Sequence, residues 1–124
     1  MRRIARLAVA AALTSGLAAV PAPASAAPTA LSHFTGSHCP SKSLCLYRDH
    51  DFSGGGVAIR AGDHIGFLGE HGVNDRMSSW SNDSGATCTW WSDAHQRGAP
   101  HLMYHGYRVN VRTAENDTAS SVHC

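Results

Sequence analysis

The residues best equipped for chemistry are Asn74-Asp75-Arg76-Met77-Ser78-Ser79, which return 42 positions later as Asn116-Asp117-Thr118-Ala119-Ser120-Ser121. Four of the six positions are identical. Chance rarely produces that agreement within one short domain, so the two stretches are read as copies of one structural unit. In each copy two Asx residues are followed by a hydroxyl pair. Together these supply side-chain oxygens on a turn, the donor chemistry of a hard cation such as calcium. The competing reading is a pair of Asx turns that end strands and hold no metal. Each copy alone is too short to provide the six to eight oxygens calcium takes.

Other constellations carry less. His101 and His105 stand four apart, as in a helical zinc pair, but Leu102 occupies the place of the catalytic Glu. Pro100 and Gly106 flank a stretch that reads as strand, which would scatter the two rings. The nine histidines are therefore read as surface residues without a common function. No G-x-S-x-G elbow and no carboxylate pair in an aromatic-rich loop nominates a nucleophile or general acid, so the chain is read as a non-enzyme. Asn82-Asp83-Ser84 and Asn116-Asp117-Thr118 are formal glycosylation sequons, taken here as coincidence.

The elements that must position the two motifs begin after a targeting segment. Arg2, Arg3 and Arg6 precede an apolar run at 7–20, followed by Pro21, Pro23 and the small-residue site Ala24-Ser25-Ala26. Residues 1–26 read as a secretion signal cleaved after Ala26, leaving 27–124 as one exported, extracellular domain with no membrane association. Three of the ten Lys and Arg leave with the signal while all nine Asp and Glu stay, so the remainder is slightly acidic. Without a basic patch, nucleic acid and anionic membranes are excluded as partners. The domain is expected to be a monomer.

Four cysteines in an exported chain this small point to two disulfides. Three connectivities are open. Local pairing of Cys39 with Cys45 leaves Cys88 with Cys124, and the longer loop would constrain the unfolded chain by about 3–4 kcal/mol.

Residues 27–38 are small, polar and without period, and are read as a flexible leader. From Cys39 onward the pattern is short apolar runs cut by turn residues. Residues 43–47 and 57–60 read as strands on either side of Gly54-Gly55-Gly56, three glycines that imply positive φ or close backbone contact. Gly66, Gly69 and Gly72 disfavour a stable helix and predict a loop with Ile65, Phe67 and Leu68 tucked inward. Asn82-Asp83-Ser84-Gly85 marks the boundary between halves. The second half restarts at 86–91, pauses at Gly98-Ala99-Pro100, and continues with strands at 102–104, 107–111 and 122–124. Trp80 is expected in the core, with Trp90 and Trp91 on opposite faces. Tyr47 to Gly54 repeats in spacing as Trp91 to Gly98, so each half holds about four short strands. The chain is therefore all-β, a sandwich of two Greek keys at 39–83 and 84–124.

With these residues in place, the sequence resembles the βγ-crystallins. Their Greek-key signature of aromatic, second aromatic, Gly and Ser is matched by Tyr47, Phe52, Gly54 and Ser79. In the second half Trp91, Gly98 and Ser121 match, while Gln96 replaces the second aromatic and predicts a looser hairpin. Both six-residue motifs satisfy the signature of the calcium-binding members. The resemblance implies up to two calcium ions, each shared between the motif loops. Ser78 and Ser120 would give hydroxyls, Asp75 and Asp117 carboxylates, and Arg76 and Thr118 backbone carbonyls. Asn74 and Asn116 would shape the loops, and Ser79 and Ser121 would pin the hairpins.

The opening Cys39-Pro40-Ser41-Lys42-Ser43-Leu44-Cys45-Leu46-Tyr47 is also similar to that of the bacterial secreted metalloproteinase inhibitors. That similarity implies an extracellular protease as partner and an inhibitory segment at Cys88-Thr89, held here by Cys124. The alternative is a calcium-stabilised structural or stress protein with no inhibitory activity.

Overall fold

Short β-prone runs separated by glycine and Asx turns commit this chain to strand pairing between distant segments. The computed structural model describes residues 16–18 and 31–124. All but 16–18 of the signal read at 1–26, its cleavage site included, lies outside the described residues. The strands are β1 (Leu31–Phe34), β2 (Leu44–Asp49), β3 (Ser53–Ile59), β4 (His64–Ile65), β5 (Ser79–Asn82), β6 (Cys88–Asp93), β7 (Arg97–Met103), β8 (Arg108–Asn110) and β9 (Ser121–His123), with a 3-10 helix at Leu68–His71.

Two antiparallel sheets form, ordered β1-β3-β2-β5-β8 and β4-β9-β6-β7. In each half the first, second and fourth strands share a sheet, while the third crosses to the other. β4 therefore completes the sheet of the second half, and β8 that of the first. Between the sheets lie Leu44, Leu46, Val57 and Ile59 from one side and Trp90, Met103 and Val122 from the other, with Leu68, Val73 and Met77 closing the interior. Trp80 is 5% and Trp90 1% exposed, while Trp91 faces away and is half-buried.

The backbone repeats as closely as the sequence. Left-handed φ values recur at Asp51 and His95 (58° each), Phe52 and Gln96 (57° and 56°), and Gly54 and Gly98 (80° and 82°). Each pair is 44 positions apart. These residues fold the β2–β3 and β6–β7 hairpins sharply over the sheet, and a serine holds each tip. The Ser79 hydroxyl donates to the Asp49 carbonyl (2.6 Å) and accepts from the Phe52 N–H (3.2 Å). The Ser121 hydroxyl donates to the Asp93 carbonyl (2.6 Å) and accepts from the Gln96 N–H (3.0 Å). The second hairpin is thus clamped as the first is, because the clamp uses backbone groups that any residue at position 96 supplies.

Three further expectations change. Of the segment read as a leader, 27–30 lie outside the described residues, and the rest contains β1, whose Leu31 packs toward the sandwich interior while Phe34 meets Tyr47 edge-on at 5.1 Å on the outer face. Two apolar anchors on opposite faces leave no period to read. Gly98, Ala99 and Pro100 do not interrupt the second half but lie within β7, an edge strand, where proline is tolerated. Phe67 is 40% exposed, with its ring over Gly69, because the 3-10 helix directs Leu68 into the core instead. The glycine run behaves as its chemistry requires: a Cβ on Gly56 would collide with the Leu46 carbonyl of the paired strand.

Replacing either clamp serine by alanine strands buried backbone groups. Ser79→Ala and Ser121→Ala should each destabilise the fold by about 1–3 kcal/mol, to a similar extent in both halves, measured by urea unfolding.

Candidate functional site

Val73, Met77 and Ala119 are fully buried, and they plug the two motif loops into the sandwich so that the intervening polar residues arch outward. Asp75 (φ 50°) and Asp117 (φ 59°) take the left-handed conformation, which short polar side chains tolerate better than most. The loops grip each other reciprocally. The Asp75 N–H donates to the Ala119 carbonyl (3.0 Å) and the Asp117 N–H to the Met77 carbonyl (3.2 Å).

The side chains repeat that exchange. The Ser78 hydroxyl faces Asp117 Oδ1 at 3.4 Å, and the Ser120 hydroxyl faces Asp75 Oδ1 at 3.5 Å. Both separations exceed the usual O–H···O length of about 2.7–2.8 Å, so oxygens from opposite halves converge without closing a strong bond. Ser78 and Ser120 are buried, whereas Asp75, Arg76 and Asp117 are exposed and Thr118 is half-buried. The Thr118 hydroxyl is spent locally on the Glu115 carbonyl at 2.7 Å. Asn74 Oδ1 and Asn116 Oδ1 are buried without a hydrogen-bond partner, at the same position in both copies. An all-oxygen donor set with acceptors left over fits a hard cation. Among the described residues no group of three or more His, Cys, Asp or Glu is placed to hold a metal ion.

The disulfides join Cys39 to Cys45 (Cα separation 6.0 Å) and Cys88 to Cys124 (4.1 Å). The segment expected to act on a protease is not presented as a loop. Cys88 is fully buried at the start of β6, and Thr89 pairs with Leu102 on one side and His123 on the other. Cys88-Thr89 thus lies within the sheet, Cys88 beside Met103 and Thr89 between two strands.

What does project is the end of the sandwich organised by Asn82, a residue the sequence marked only as a turn and a sequon. Asn82 is 2% exposed. Its amide nitrogen donates to the carbonyls of Met103 (2.7 Å) and Ala86 (2.8 Å), and its oxygen accepts from the Ser84 N–H (2.9 Å) and hydroxyl (2.7 Å). Glycosylation at Asn82 is therefore incompatible with the fold. Its backbone meets the β7–β8 turn twice, through the Tyr107 carbonyl (3.0 Å) and the Gly106 N–H (2.7 Å). The Gly85 N–H donates to His105 Nδ1 (3.0 Å), and the Lys42 N–H to Asp83 Oδ2 (3.3 Å). Loops 40–43, 83–87 and 104–107 are thus locked together. The last carries exposed Tyr104 (52%) and Tyr107 (59%), just beyond exposed Leu102 (55%).

His101 and His105 do not converge. His101 stacks on Trp90 at 3.7 Å and lies 3.2 Å from Glu115, which corrects its reading as a plain surface residue.

Comparison with known proteins gives a family and a fold. The sequence model of peptidase inhibitor family I36 matches residues 33–103. A solved structure concerned with the evolution of the eye lens βγ-crystallin domain fold superposes with a TM-score of 0.64 at 20% identity, covering 75% of this chain and 94% of that one. A βγ-crystallin from Ciona intestinalis gives 0.56 at 25% identity, covering 65% and 96%. The N-terminal domain of Protein S gives 0.56 at 18% identity, covering 65% and 92%. No curated protein matches the sequence.

Truncating the hub should uncouple the three loops. Asn82→Ala is expected to cost about 3 kcal/mol or more and to speed amide exchange at Gly85, Gly106 and Tyr107, read by hydrogen exchange.

Proposed function

Because the chain belongs to peptidase inhibitor family I36, on a βγ-crystallin fold, we propose that it is a secreted, calcium-binding inhibitor of extracellular metalloproteinases. The single observation that carries the reading is the family match across 33–103, which includes the Cys39 to Tyr47 opening and Asn82 with its 83–87 loop and ends just before the 104–107 loop.

An inhibitor that binds without reacting gains affinity by offering a surface already ordered. The loops joined through Asn82 meet that requirement, since their backbone groups are tied before any partner arrives. Tyr104 and Tyr107, with ring centres 6.2 Å apart, are the anchors. Tyrosine buries a large area at small entropic cost and is enriched where binding energy concentrates. This surface replaces Cys88-Thr89 as the protease-facing element. The choice of a metalloproteinase rests on the similarity of the opening segment to the bacterial secreted metalloproteinase inhibitors.

Calcium supports the scaffold in this reading. Asp75, Asp117, Ser78 and Ser120 would hold up to two ions together with the carbonyls of Arg76 and Thr118, while Asn74 and Asn116 shape the loops. The ion supplies positive charge to oxygens drawn from both halves. At about 100 times the dissociation constant it adds about 2.7 kcal/mol to stability.

Titration of the signal-free protein against a thermolysin-like metalloprotease should give saturable, stoichiometric inhibition, weakened more than about tenfold by Tyr104→Ala with Tyr107→Ala. Slow digestion or inertness against both this protease and a subtilisin-like one would leave the structural or stress-protein reading. Millimolar calcium should raise the melting temperature, a chelator should reverse it, and Asp75→Ala with Asp117→Ala should abolish the response. An unchanged melting temperature would sink calcium binding.

A further inference from the structure

The two halves diverge at one corner. In the first, Phe52 at the hairpin tip is covered by Arg108 of β8, whose guanidinium carbon stands 4.2 Å from the ring centre. The equivalents 44 positions away are Gln96 and His64. Here no aromatic fills the corner. The Gln96 amide reaches back to the Ile65 carbonyl at 3.5 Å, and a cavity of about 240 Å³ remains, lined by His64, Gln96 and His123.

His64 and His123 are direct partners across the β4–β9 pair, so their imidazoles leave the sheet side by side on one face. Their ring centres are 6.2 Å apart, with the planes inclined by 76°. At metal–nitrogen bonds of about 2.0–2.1 Å, two imidazoles on one tetrahedral ion hold their centres about 5 Å apart, so the two exposed rings, now 6.2 Å apart, share an ion after closing by about 1 Å through side-chain rotation.

We propose that His64 and His123 form a binding site for a divalent transition-metal ion of the zinc, nickel and copper class, with the Gln96 side-chain oxygen and water filling the remaining positions. Imidazole pairs select these ions, whereas calcium takes oxygen, so the site is chemically separate from the motif loops. Its location gives it a structural consequence. β4 is two residues long and is the first half's contribution to the second sheet, so an ion on His64 and His123 ties the halves together at their shortest strand pair.

The test is a calorimetric titration of the calcium-saturated protein with zinc chloride, repeated for His64→Ala and His123→Ala. Both side chains are exposed, and the melting temperature without metal verifies that each variant is folded. The expected result is zinc uptake by the native protein that is weakened at least about tenfold by either substitution but not by His105→Ala, nor by His71→Ala, which removes the other close histidine pair, His33 with His71 at 5.6 Å. On the native protein, paramagnetic broadening by nickel chloride should centre on residues 64, 96 and 123. Absence of zinc uptake, unchanged affinity in either histidine variant, or broadening centred elsewhere would each overturn the proposal.

Discussion

The structure depends on the exchange of third strands. β4 and β8 hydrogen-bond to strands of the opposite half, and the core is shared between sheets that each contain residues from both halves. Neither Greek key can satisfy its edge or bury its apolar face alone, so the halves must fold as one cooperative unit. The fold thereby converts two weak four-stranded motifs into one domain whose interior holds two tryptophans and most of its aliphatic side chains.

The paired serines of each motif divide the labour that this exchange creates. Ser79 and Ser121 close hairpins within their own halves, with hydroxyls fully committed to backbone groups. Ser78 and Ser120, one residue earlier, point across the pseudo-twofold toward the aspartate of the other motif. Adjacent residues in a strand face opposite directions, so a hydroxyl pair is the shortest way to serve both the local turn and the junction between halves.

The sequence made the architecture legible because the repeat fixes it twice. The offsets of 44 and 42 reappear in the left-handed backbone positions and in the reciprocal contacts of the motif loops. Both disulfides follow the simplest pairing. The leader failed because Leu31 and Phe34 pack on opposite faces of one short strand, which has no pattern distinguishable from a polar tail. The proposed docking surface was harder still. Asn82 looks like any turn asparagine, and only the arrival of the Met103 carbonyl from 21 residues away makes it a hub. The same holds for His64 and His123, which are brought together by strand register and share no spacing that a linear reading could notice.

The lengths of the sheet edges bear on how copies of this protein behave when crowded. Four strands end the two sheets: β1, β8 and β4 have four, three and two residues, and only β7 is long, at seven. Pro100 sits within that strand, among exposed Arg97, Gly98 and Ala99. Unprotected edges recruit strands from neighbouring molecules and seed fibrils, and proline and brevity are standard ways of preventing it. Among the described residues, then, the one extended border is interrupted by proline, and a neighbouring copy finds no long continuous row of free backbone groups to pair with.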